Sequence, residues 1–144
     1  MYDHFNKFIK KTWKKRVIDL FSANTPNGKK ISIMLEEISF KYKTIKVDLD
    51  KGDQFKDDFK KISPFSKIPV ITDNENKKTI FESGAILIYL AEKSGKFYDE
   101  KDRLEINQWL MAQMGYVGPM LGQHHQFHHY NPGKSHFGEE RYLK

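Results

Sequence analysis

The chain has 144 residues, 38% of them apolar and 14% aromatic, which is enough for a core and too apolar for global disorder. Lys and Arg number 25 against 19 Asp and Glu, a net charge of +6, and cysteine is absent. Disulfides and thiolate zinc sites are therefore excluded, and the cytoplasm is the expected compartment. The basic head "MYDHFNKFIKKTWKKR" lacks the apolar stretch of a secretory signal. No segment approaches the ~18 apolar residues of a membrane span. Beyond the head, lysines alternate with acids, as on a solvated face. The head itself lacks the aromatic interleaving of a base-stacking platform. Neither nucleic acid nor a membrane is an expected partner.

Val17 to Ser22 reads as a short strand. Thr25-Pro26-Asn27-Gly28 follows, then a helix with Ile31, Met34, Leu35 and Ile38 on one stripe. Pro26 suits the first helical position, where its missing N–H has no partner to lose. Ile45, Val47 and Leu49 alternate with Lys46 and Asp48, predicting a half-buried strand parallel to the first. "KGDQFKDDFKKIS" reads as a loop carrying a short helix. "KIPVIT" and "KKTIF" flank the turn-rich "DNEN" as an antiparallel hairpin. "ESGAILIYLAEKSG" is a helix opened by Ser83 and closed by Gly95. The order β-α-β, then β-β-α, is an α/β arrangement of the thioredoxin-like kind on a mixed four-stranded sheet. Pro69, just before the third strand, suits an edge strand, or a cis bond that turns a backbone edge toward the first helix.

After Gly95 the strand pattern stops. Ile106, Trp109, Leu110, Met114 and Val117 recur at helical spacing, and Gly118-Pro119 is expected to kink or break that helix. The expected organisation is a basic extension over 1–16, a thioredoxin-like domain over 17–97 and part of an all-helical domain over 98–144. His124/His128 and His125/His129 have the i, i+4 spacing of metal ligands. Adjacent pairs on one helix should face different directions, so no metal site is expected, and the run is expected to line a cleft between the domains.

The blocks "TPNGKKISIMLEE", "KVDLDKGDQF", "ISPFSKIPVI", "FESGAILIYLAEKSG" and "GPMLGQHHQF" occur in that order. Together they resemble a glutathione transferase of the bacterial nu class, a group with glutathione-dependent disulfide-bond reductase activity. The resemblance runs from Val17 to about Tyr142, and the family's helical domain continues beyond Lys144. It implies glutathione as co-substrate, a small disulfide or electrophile as second substrate, and a homodimer.

The missing cysteine then has an explanation: glutathione brings its own thiol, and the protein has only to hold and ionise it. A thiol of pKa near ~8.5 is acidified by a helix N-terminus and oriented donors. Thr25, Asn27 and the first free N–H groups of the helix supply them. By resemblance Thr25 and Asn27 contact the glutathione sulfur; on their own they also suit a helix cap and a turn. Ser83 and the N–H groups around it suit the γ-glutamyl carboxylate, and Glu82 suits its ammonium. Ile68, beside Pro69, is expected to bond the cysteinyl unit through its main chain, as in strand addition. The resemblance adds Gln54 at the glycyl end, Lys67 as a minor contact, and Arg141 as a helical-domain arginine reaching a ligand carboxylate. The alternatives to an enzyme are a non-catalytic glutathione-binding module, regulatory or interacting, or a truncated inactive fragment.

Overall fold

The computed structural model describes residues 17–143, and the basic 1–16 extension lies outside the described residues. The chain divides into two compact units, one ending at Phe97 and one beginning at Tyr98.

In the first unit β1 is Ile18–Ser22 and α1 is Pro26–Glu37. Thr25 caps α1, its Oγ1 accepting from the Gly28 N–H at 3.2 Å, with Pro26 in the first turn. The expected stripe is buried, with Ile31 and Leu35 at 0% exposure. β2 is Tyr42–Lys46 and runs parallel to β1, Ile18 opposite Tyr42 and Ser22 opposite Lys46. The strand expected over 45–49 thus begins and ends earlier. Bonds from Val17 and Ile18 to the Lys41 carbonyl, and from Val47 to that of Ser22, fix this pairing. Val47 still packs inward with Phe59 and Val70, but Leu49 is left 36% exposed.

A 3-10 turn at Asp53–Phe55 and the short α2, Asp57–Lys60, lead to β3, Val70–Asp73, and β4, Lys78–Phe81. β3 is antiparallel to both β1 and β4, giving the sheet order β2-β1-β3-β4. This is the expected mixed four-stranded sheet. Leu20 pairs with Ile71 and Phe21 with Val70, so alternation sends the two pairs to opposite faces. The Phe21 face meets Phe59 edge-on at 6.5 Å. α3, Ser83–Ser94, packs against α1 and stops at Gly95, whose φ of 68° suits glycine.

Asp73 is fully buried at the end of β3. It accepts from the Tyr89 hydroxyl, from Lys93 Nζ at 2.9 Å and from the Glu75 N–H at 2.8 Å. Burial pushes its carboxyl up, but the bonds from Tyr89, Lys93 and Glu75 prevail and hold it below the ordinary range. The hairpin turn is thereby tied to α3.

The second unit holds α4 (Arg103–Ala112), a π turn (Gln113–Val117), α5 (Gly118–His125), a second π turn (Gln126–Tyr130) and α6 (His136–Arg141). Of the kink or break expected at Gly118-Pro119, the break does not occur. The i→i+5 turn just before Pro119 widens the helix where the ring would meet the preceding turn, so the chain stays helical. Gly118 fits this turn, since a Cβ there would lie 2.9 Å from the Gln113 carbonyl oxygen. Ser135 caps α6 through the Gly138 N–H, and Phe127 stacks on Tyr142 at 5.6 Å. His124 Nδ1 meets the Tyr142 carbonyl at 2.9 Å and His128 Nε2 that of Glu139 at 3.0 Å. His129 lies 6.0 Å from His124 and 4.4 Å from His125, so the two pairs form one row rather than facing apart.

Candidate functional site

A cavity of about 140 Å³ opens in the first unit where the start of α1, the loop before β3 and the start of α3 meet. Six of the nine expected site residues line it: Asn27, Lys67, Ile68, Pro69, Glu82 and Ser83. Three do not. Thr25 stands two residues before Asn27 at the cap. Its oxygen accepts from Gly28, which leaves the hydroxyl proton free to donate. Gln54 donates from Nε2 to the Leu49 carbonyl at 3.4 Å and leaves Oε1 buried without a hydrogen bond. Arg141 belongs to the second unit, at the end of α6, where its guanidinium lies 5.8 Å from the Tyr142 ring.

Each wall has a local cause. Gly28 brings α1 close to the end of β1, because a Cβ there would lie 2.2 Å from Ser22 Oγ and 2.6 Å from the Ala23 carbonyl. This close approach sets Asn27 at the cavity, in the first turn where main-chain N–H groups lack intrahelical partners. On the second wall the Ile68-Pro69 bond is cis and Pro69 is buried. The Ile68 side chain packs toward Val47, Phe59 and Val70, and neither its N–H nor its C=O is hydrogen-bonded among the described residues. On the third wall Ser83 is buried as the first residue of α3. Glu82 precedes it at φ 70°, ψ 117°, an unusual conformation for a non-glycine residue and one often found at functional sites. Its carboxylate makes no cap bond to α3. Burial pushes the nearby Lys30 ammonium down and the Glu82 charge opposes this.

Ser63, Phe65 and Phe81 also line the cavity and were not picked out from the sequence. Phe65 and Phe81 are 69% and 37% exposed and meet edge-on at 6.2 Å. Their sequence signal is their place beside the motifs, Phe65 inside "SPFSK" and Phe81 directly before Glu82. Among the described residues no three His, Cys, Asp or Glu side chains are gathered to hold a metal ion. Among them, too, no helix is long and apolar enough to cross a membrane.

The chain is 49% identical over 133 residues to the Escherichia coli disulfide-bond oxidoreductase YfcG, covering 88% of this chain and 62% of that protein. It is 38% identical to a second E. coli disulfide-bond oxidoreductase, YghU, over 89% of this chain and 48% of that protein. Among solved structures, a glutathione transferase family member from Pseudomonas fluorescens with two glutathiones bound superposes with a TM-score of 0.81. It is 41% identical and matches 94% of this chain and 64% of its own. The chain thus spans about 62% of the first relative's length and 48% of the second's. Residues 16–92 match the family model of the glutathione S-transferase N-terminal domain, and the chain belongs to that family.

Proposed function

We propose that the chain binds glutathione in the Asn27–Ile68–Glu82 cavity and uses its thiolate as a glutathione-dependent disulfide-bond reductase. The observation that carries this reading is the meeting of three main-chain features at one cavity: the first turn of α1, the unpaired Ile68 peptide groups and the start of α3. They match a peptide ligand with two carboxylates, an ammonium and a thiol. The names of the two E. coli relatives and the glutathione bound in the Pseudomonas structure support the same assignment.

In this reading the γ-glutamyl end lies at Ser83 and Glu82, the cysteinyl unit along Ile68, and the sulfur beside Thr25 and Asn27. Gln54 and Lys67 serve the remaining polar groups. The thiolate, stabilised by the Thr25 hydroxyl and the first turn of α1, attacks a substrate disulfide RSSR. This forms a GS–SR bond and releases RS⁻. A second glutathione thiolate then attacks the mixed disulfide, giving GSSG and the second substrate thiol. Two glutathiones are oxidised for each disulfide reduced. We assign residues 17–97 to the glutathione-binding domain and 98–144 to part of a helical domain. A cytoplasmic location and a homodimer belong to the same proposal.

The test follows the absorbance of bound glutathione thiolate against pH, together with turnover of a small model disulfide. Thr25→Ala and Asn27→Ala should each raise the apparent thiol pKa. They should slow turnover by about one to two decades, the effect of losing a bond of ~1.5–3 kcal/mol to a charged group. Thr25→Ser keeps the hydroxyl and should behave as wild type. Unchanged titration in both alanine variants, with binding retained, would refute the sulfur assignment. Binding without any turnover would identify a glutathione-binding module instead.

A further inference from the structure

We infer that Ser63 is a positioning residue for glutathione, acting through the Lys67–Ile68 main chain. The inference rests on the glutathione reading above. Ser63 is only 1% exposed although it lines the cavity. Its Oγ donates to the Lys67 carbonyl at 2.7 Å and accepts from the Lys67 N–H at 3.0 Å. One hydroxyl therefore occupies both peptide groups of Lys67, across a turn that the Ser66 N–H closes onto the Ser63 carbonyl at 2.9 Å. The next residue, Ile68, keeps both of its peptide groups unpaired among the described residues, beside the cavity. The division is chemically useful. Had the Lys67 groups no partner, they would compete with Ile68 for the extended ligand, and the edge would have no fixed register. Ser63 is itself held at the end of α2, where its N–H donates to the Phe59 carbonyl at 2.9 Å. Phe59 belongs to the core cluster with Val47 and Val70. The core thus reaches the ligand edge through one side chain, which touches the loop and not the reacting atoms.

The full chain is compared with Ser63→Ala and Ser63→Thr in three measurements: glutathione KM and kcat with a model disulfide, amide hydrogen exchange at Lys67 without ligand, and thermal unfolding. Ser63→Ala should raise the glutathione KM roughly tenfold, leave kcat within about twofold and speed Lys67 exchange. Ser63→Thr, which keeps the hydroxyl, should restore KM and exchange together. Faster exchange with unchanged KM overturns the inference, as does a raised KM with unchanged exchange. A Ser63→Ala chain that no longer folds also overturns it, because Ser63 then holds the domain rather than the ligand edge. A wild-type chain that does not bind glutathione is a separate outcome; it refutes the functional reading and this inference with it.

Discussion

Ile18, Ile31, Leu35, Ile71, Ile86 and Leu90 in the first unit are each at most 0% exposed, whereas Leu104, Trp109, Leu121 and Phe137 in the second are 63–74% exposed. Both units carry apolar residues at helical spacing. In the first, the helices have a sheet against which their stripes close. In the second, Gly138 is the one buried residue among those described, and closure comes from caps, carbonyl bonds to imidazoles and the Phe127–Tyr142 stack. Helical periodicity names a face; burial needs a second surface of matching width.

The sharpest test of this contrast truncates one apolar side chain in each unit. Leu35→Ala should cost about 2–5 kcal/mol in urea unfolding, from lost transfer energy and the cavity left behind. Trp109→Ala should stay within about 0.5 kcal/mol. Equal costs would break the comparison.

Glycines provide a second pair. Gly28→Ala puts a Cβ against the Ala23 carbonyl and Ser22 Oγ, so α1 must shift, at about 1–3 kcal/mol. Gly138→Ala puts a Cβ 2.5 Å from the Phe127 ring, a side chain that can shift where the Ala23 carbonyl cannot, though at the expense of its stack on Tyr142. Melting temperatures of the two variants measure the difference.

Acid tests the polar lock of the first unit. The Asp73 carboxyl is depressed in the fold, so its contribution is complete above the unfolded carboxylate pKa near ~3.9. It is lost as pH falls from there through the folded value. Wild-type stability should decline in that window, and Asp73→Asn, about 1–2 kcal/mol less stable at neutral pH, should show a flatter profile there. Parallel acid profiles would remove Asp73 from the account.

The smallest expected effect is at Ser66, a non-glycine residue at φ 55° in the Ser63–Lys67 turn. Ser66→Gly relieves that conformation but frees the unfolded chain, for a net gain of no more than about 1 kcal/mol. Denaturant midpoints would resolve it.

Much of the first unit was legible because its signals are local. Pro26 and Thr25 start α1, Gly95 ends α3, "DNEN" makes the hairpin turn, and Pro69 marks the cis bond. The exact span of β2 was not legible. An edge strand takes its limits from main-chain pairing with its neighbour, and alternation at Val47 and Leu49 carries no information about where that neighbour stops. The cavity's peptide motifs stood out in sequence, whereas Ser63 did not. A serine in a turn looks the same whether its hydroxyl meets water or two peptide groups four residues on. Nor does composition announce the Glu82 backbone, since a positive φ at a glutamate is imposed by the elements around it.

The two π turns make the long helix of the second unit a phase device. Each i→i+5 turn holds one residue more than an α turn, so every side chain downstream is rotated against the register that simple counting assigns. Such a turn converts a one-residue insertion into a rotation while the axis continues. The imidazole row is a product of that rotation: with α spacing from His124 onward, His129 would lie well around the helix from His124 rather than 6.0 Å away.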